Sequence, residues 1–246
     1  MQIIRSFDKT SLGRLAAASA SRIIRAAISE KGFANIIVAT GASQFETLHH
    51  LVQDRTIDWG KVTMFHLDEY IAVNPTHPAS FQRYLRERFL AKVPPLQAAH
   101  FISGEGDPAV ECARLNALIA RTPIDLAFVG IGENGHLAFN DPPADFATGV
   151  PFLVLTLDED CRRQQLGEGW FDALDHVPRQ AISMSIQQIM KSAHIVGSVP
   201  DARKARAVRD CLQGPISNLH PSSILQTHPR CEIFLDEASA AQLSPA

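Results

Sequence analysis

Ile124-Asp125-Leu126-Ala127-Phe128-Val129-Gly130-Ile131-Gly132 is the stretch on which the fold turns. It is apolar almost without interruption, where a half-exposed strand would alternate, so it is expected as a central strand of a parallel sheet covered on both faces. Working outward, similar units recur. Upstream, Asp8 to Glu30 spaces Leu12, Leu15, Ala16, Ile23, Ala27 and Ile28 as one face of a helix, with Gly32 as its stop. Asn35 to Ala39 reads as a strand running through Thr40-Gly41-Ala42-Ser43 into a helix that carries Phe45, Leu48 and Leu51. Val62 to His66 and His100 to Ile102 read as strands, and Pro78 to Phe89 and Pro108 to Ile119 as helices. Downstream, Pro151 to Thr156, Ala193 to Ser198 and Cys231 to Leu235 read as strands, and Ala202 to Leu212 as a helix closed by Gly214. This alternation specifies an α/β fold with a mostly parallel sheet in layers. Asp158 to His176 is polar and irregular, anchored by Trp170 and Phe171, and is expected as a peripheral lid within the 150–180 region.

The chain has 246 residues, a net charge of -3 and 46% hydrophobic residues. That composition supports a large core and argues against a disordered tail or a nucleic-acid binder held by bulk charge. Without a repeat or a long Pro/Gly-rich linker, residues 1–246 are expected to form one domain. No stretch approaches eighteen uninterrupted apolar residues and the start reads as a short strand and then a helix, not a signal peptide, so a cytoplasmic protein is expected. Cys112, Cys161, Cys211 and Cys231 are too widely spaced for a disulfide framework or zinc knuckle and read as buried thiols.

In a parallel α/β sheet the carboxyl ends of the strands form the crevice for anions. Four polar clusters fall there. Thr40-Gly41-Ala42-Ser43 combines a turn-forming glycine, hydroxyls and the start of a helix, which suits a phosphate, although it lacks the pattern of a nucleotide-binding loop. His66-Leu67-Asp68-Glu69-Tyr70 brings two carboxylates to a strand end; one can serve as a base, and the alternative is that they cap the next helix. Adjacent side chains diverge, so they are not read as a jointly acting pair. The third cluster, Gly130 to Pro142, has three glycines in six residues and His136, the side chain type that exchanges protons nearest neutral pH. Asp141 can return through the turn to orient His136. In the fourth, Arg203 or Lys204 can reach an anion in the crevice. The other histidines show no metal-ligand spacing, so no required metal is expected.

Taken together, the clusters resemble the glucosamine-6-phosphate deaminase/isomerase family of sugar-phosphate isomerases. The resemblance rests on TGAS at 40–43, VTMFHLDEY at 62–70, HPASF at 77–81, GIGENGHLAFNDP at 130–142, VPRQAISMSI at 177–186, the Lys204 helix and HPSSILQTHP at 220–229. It implies a three-layer α/β/α sandwich of modified Rossmann type. Asp68 looks like the carboxylate that moves a proton from C2 to C1, and His136 like the residue that helps open the pyranose ring. Asn134 stands where members carry Asp or Asn, and Asp141 where Glu is usual. One methylene less shortens the reach to His136 by roughly 1–1.5 Å, a misplacement that can cost about a hundredfold in rate. The family's phosphate grip resembles Thr40, Gly41, Ala42, Ser43 and Lys204. Its additional arginine is missing beside Trp170-Phe171, which leaves Arg162 or Arg163, displaced upstream, as candidates.

The activity so implied is hydrolytic deamination of an amino-sugar phosphate coupled to aldose–ketose isomerisation, with no cofactor, no metal, and neither nucleic acid nor membrane as partner. The gluco and galacto epimers are not separated by these residues, and oligomeric state is left open. A 6-phosphogluconolactonase-like hydrolase is disfavoured because HLDEY and HLAFNDP follow the deaminase pattern. A non-catalytic sugar-phosphate-binding domain is disfavoured because Asp68 and His136 are both present.

Overall fold

The structure is a computed structural model and describes residues 1–244. The chain runs β1 (Gln2–Ser6), α1 (Lys9–Lys31), β2 (Ala34–Val38), α2 (Phe45–Leu51), β3 (Val62–His66), β4 (Asp68–Tyr70), α3 (Phe81–Arg88), β5 (Ala98–His100), α4 (Pro108–Ile119), β6 (Leu126–Val129), β7 (Phe152–Thr156), α5 (Glu159–Gly167), β8 (Gln180–Met184), α6 (Ile186–Met190), β9 (His194–Val199), α7 (Ala205–Leu212) and β10 (Cys231–Asp236). Seven strands form a parallel sheet in the order β1-β10-β9-β6-β2-β3-β5, flanked by helices. β6 is the middle strand, as its unbroken apolar run requires, and all four of its residues are buried.

Caps set the helix limits. The Asp8 side chain accepts from the Ser11 N–H at 2.7 Å to start α1, whose buried face includes Leu12, Ala16, Ala20, Ile24 and Ala27. Asp107 caps α4 immediately before Pro108, where a missing N–H costs nothing. α3 begins at Phe81, three residues later than its composition suggests. Pro78 lies in a turn in which His77 Nδ1 accepts from the Ala79 N–H, and Ser80 is the cap, accepting from the Arg83 N–H at 3.2 Å. β5 occupies 98–100 instead of 100–102, because the rungs to β3 join Thr63–Phe65 to Ala98–His100.

A second, antiparallel sheet, β4-β8-β7, was not expected from the sequence. β4 follows β3 after the single residue Leu67 and pairs Asp68, Glu69 and Tyr70 with Ser183, Ile182 and Ala181. Residues 158–176, expected as a lid, contain α5. Its buried side bears Cys161, Arg162 and Gln165, and Phe171 packs against Tyr70 with ring centroids 5.6 Å apart. Cys112, Cys161, Cys211 and Cys231 are buried free thiols. No helix among the described residues is long and apolar enough to cross a membrane.

Candidate active site

The carboxyl ends of β2, β3, β6 and β9 open on a cavity of about 560 Å³. Its wall brings together Thr40, Gly41, Ala42, Ser43, Asp68, His136 and Lys204, which lie far apart in the chain. The 40–43 loop turns through Gly41, whose φ of 86° disfavours any residue with a Cβ. Gln44, fully buried, ties the loop to the sheet by donating from Nε2 to the Val129 carbonyl at 3.2 Å.

The pleat of β4 separates its two carboxylates. Asp68 faces the cavity. Glu69 points the other way and accepts from Ser80 Oγ (3.0 Å) and from the N–H groups of Tyr70 (2.9 Å), Phe81 (3.2 Å) and Gln82 (2.7 Å). Glu69 is therefore the helix-capping residue of the pair, holding the start of α3. Burial pushes the Asp68 carboxyl up to about 8, and the neighbouring Glu69 charge adds to the shift. Burial also raises Glu69, but the four donors around it favour its ionised form, so the proton of the pair belongs to Asp68.

His136 is held by its backbone and from behind. Its N–H donates to Asn134 Oδ1 at 3.1 Å, and its carbonyl accepts from the Gly132 N–H and from Ser222 Oγ, both at 3.0 Å. Gly132 is required here by close approach: a Cβ on it would lie 2.3–2.4 Å from three atoms of the His136 ring. Asp141 Oδ1 lies 3.3 Å from His136 Nδ1, so the shorter side chain does reach the imidazole. The contact falls short of hydrogen-bond geometry, however, and leaves Nδ1 without a hydrogen-bond partner. Asp141 is fixed by Asn134 Nδ2 (3.0 Å) and by the Asp158 N–H (3.0 Å). Burial alone would raise its carboxyl, but His136, Asn134 and the Asp158 N–H together bring it below the usual carboxylate range. Neither Asn134 nor Asp141 lines the cavity; both lie behind His136.

Lys204, 7% exposed, reaches the cavity from the turn before α7. Burial lowers its pKa, and Glu133 and Glu168 offset part of that shift. The two arginines considered for the anion grip lie elsewhere. Arg162 is buried, donating to the carbonyls of Val177 and Leu174, because a guanidinium there satisfies the loop after α5. Arg163 pairs with Glu159 on the outer face of the helix. The arginine that does line the cavity is Arg203, paired with Asp201 (3.3 Å) and Glu133 (3.4 Å).

Sequence reasoning missed one wall. Gln164, Gln165 and Glu168, from α5 and its end, line the cavity. Gln164 Oε1 accepts from the Glu133 N–H at 2.8 Å, and Gln165 Oε1 from the Tyr70 hydroxyl at 2.6 Å. The available signal was their spacing, i, i+1 and i+4, which puts three polar groups on one side of a helix anchored by Trp170 and Phe171.

A buried carboxyl, an imidazole with a carboxylate behind it, and a glycine loop and lysine on one cavity define the class: an α/β protein with a polar crevice sized for a small molecule at the carboxyl ends of its strands. The chain belongs to the family of glucosamine-6-phosphate isomerases and 6-phosphogluconolactonases, whose sequence profile matches residues 8–233. It is 33% identical over 217 residues to the glucosamine-6-phosphate deaminase of Lactobacillus delbrueckii subsp. bulgaricus, covering 87% of this chain and 89% of that one. A solved monomeric glucosamine-6-phosphate deaminase superposes with a TM-score of 0.89 at 29% identity, covering 98% of this chain and all of the other. The 6-phosphogluconolactonase of Trypanosoma brucei has a TM-score of 0.81 at 17% identity over 99% of this chain and 98% of its own, which shows a shared fold.

Proposed function

We propose that this chain is a glucosamine-6-phosphate deaminase, converting glucosamine 6-phosphate and water to fructose 6-phosphate and ammonia. The observation that carries the reading is the position of Asp68 and His136 on one cavity whose wall also holds the 40–43 loop and Lys204. The phosphate is bound by that loop and by Lys204, with Arg203 as the arginine at hand. His136, backed by Asp141 and Asn134, moves the proton that accompanies opening of the pyranose ring. Asp68 takes the proton from C2 of the open chain, giving an enolamine, and returns it at C1, giving an imine at C2. Water adds to that imine and ammonia leaves, so the carbonyl ends at C2. A raised carboxyl suits the base, because proton transfer is efficient when its pKa lies near the working pH. The chain acts as one domain, with the 150–180 region bordering the site through Gln164, Gln165 and Glu168.

The test is simultaneous measurement of ammonia and fructose 6-phosphate from metal-free protein given glucosamine 6-phosphate, with galactosamine 6-phosphate and 6-phosphogluconolactone in parallel. Equimolar products, lost in Asp68→Asn, are expected. Turnover of only one of the other compounds would reassign the substrate, and no turnover of any would sink the enzymatic reading.

A further inference from the structure

We propose that the rear of the crevice, behind His136, is a binding site for a borderline-soft divalent cation of the zinc type, with His136 Nδ1, the Asp141 carboxylate and Cys161 Sγ as ligands. One ligand atom from each of these three residues lies within 4.8 Å of the others. The trio escapes a search by sequence spacing because Cys161 comes from α5, twenty positions beyond Asp141.

A second observation points the same way. His136 is 8% exposed and its Nδ1 is buried without a hydrogen-bond partner, although a carboxylate oxygen stands 3.3 Å away. A buried ring nitrogen left in that state is unusual, and ligation would satisfy it. The donor set then selects the ion. Imidazole, thiolate and carboxylate together suit zinc, which takes three protein ligands and leaves a fourth position open, whereas calcium and magnesium prefer all-oxygen shells. Side-chain adjustments of about 1 Å bring such donors to the bond lengths of roughly 2.0–2.3 Å that zinc takes. An outer shell is already present: Asn134 Nδ2 donates to Asp141 Oδ1 (3.0 Å) and to Asp158 Oδ2 (3.2 Å), which holds the ligating carboxylate in place.

On ligation the Cys161 thiol gives up its proton to solvent, and sulfur, nitrogen and oxygen each donate a lone pair to the cation. The His136 ring is then fixed from behind and Asp141 no longer supports it, so cation binding and proton transfer by His136 exclude each other. The site is inhibitory, and the metal-free protein is the competent form.

The inference is tested on the full-length protein stripped with a chelator and titrated with Co²⁺, a readout that needs no substrate and so stands apart from the proposed activity. A thiolate-to-cobalt charge-transfer band is expected in the near ultraviolet, bleached by Zn²⁺. X-ray absorption of the zinc-loaded protein should show one sulfur at about 2.3 Å with the remaining ligands nitrogen or oxygen. Cys161→Ser should lose the band, and Asp141→Asn should weaken affinity at least tenfold, both with unchanged far-ultraviolet circular dichroism. Absence of the band in the wild type, its persistence in Cys161→Ser, or a sulfur count other than one would overturn the site. The sulfur count decides alone if the variants do not fold. Once turnover is measurable, bound zinc that leaves it unchanged would overturn the exclusion.

Discussion

Asp141 stands 3.3 Å from Nδ1 of His136 and is anchored on its far side by Asn134 and the backbone of Asp158. The shorter carboxylate is thus held at the imidazole by two donors that do not themselves reach the cavity. Asp141→Asn is expected to lower kcat about a hundredfold with little change in KM, since the amide keeps the shape of the side chain but removes the charge that stabilises the protonated imidazole. Steady-state kinetics decide it, and a rise in KM with kcat intact would remove Asp141 from the support of His136.

Asp68 governs the pH dependence. With its pKa pushed up to about 8, kcat/KM should climb with pH and level off above that value, because the base must be ionised. Stability should move in the opposite sense. Between the ordinary carboxyl value of 3.8 and about 8 the unfolded chain has released this proton and the folded protein retains it. The contribution is therefore present in full below 3.8 and lost as pH rises through about 8. Asp68→Asn should be inactive yet melt higher than the wild type at pH 8 by about 3 °C or more, a difference that shrinks toward pH 5. Equal melting temperatures at both pH values would contradict the burial argument.

Glu69 separates structure from chemistry. Glu69→Ala leaves the N–H groups of Phe81 and Gln82 and the Ser80 hydroxyl at the start of α3, and the Tyr70 N–H in β4, without their acceptor, and should cost about 3 kcal/mol in denaturant unfolding. Glu69→Gln keeps an acceptor and should retain kcat within about threefold, far from the loss of about a hundredfold or more expected on removing a general base. Abolished turnover in a folded Glu69→Gln protein would mean that the wrong carboxylate has been given the proton transfer.

Lys204 tests the phosphate grip. Lys204→Met should raise KM by about tenfold to a hundredfold with a smaller effect on kcat, the loss expected for one charged hydrogen bond. The unphosphorylated sugar should be turned over equally poorly by both proteins.

Gly132→Ala should displace the His136 ring, because the new methyl would fall within 2.4 Å of three ring atoms. A loss of about a hundredfold in kcat with a folded protein is expected, checked by kinetics and by the imidazole resonances of His136 in NMR.

The main sheet was legible because its signals are local. β6 is apolar throughout, α4 carries a cap and a proline at its first turn, and β3 has the limits its residues suggest. The same signals placed Asp68, His136, Lys204 and the 40–43 loop on one edge, since all follow strands of that sheet. The small sheet was not legible: β4 is three residues long, too short for periodicity, and its partner β8 lies more than a hundred positions away. For the same reason no local signal showed that Asp68 and Glu69 would be sorted to opposite faces. The choice between Arg162 and Arg163 was not legible because a sequence shows charge but not address, and the fold uses Arg162 to bind the carbonyls of Leu174 and Val177.

The antiparallel register of β4 against β8 has a consequence for how activity is acquired. Strand pairing repeats every two residues, so a slip by one would turn Glu69 into the cavity and Asp68 onto α3. Such a conformer would keep the seven-stranded sheet, the cavity and most of its polar lining, and would present a carboxylate of the wrong length. Which of the two adjacent carboxylates faces the cavity is thus written in three rungs between segments remote in sequence.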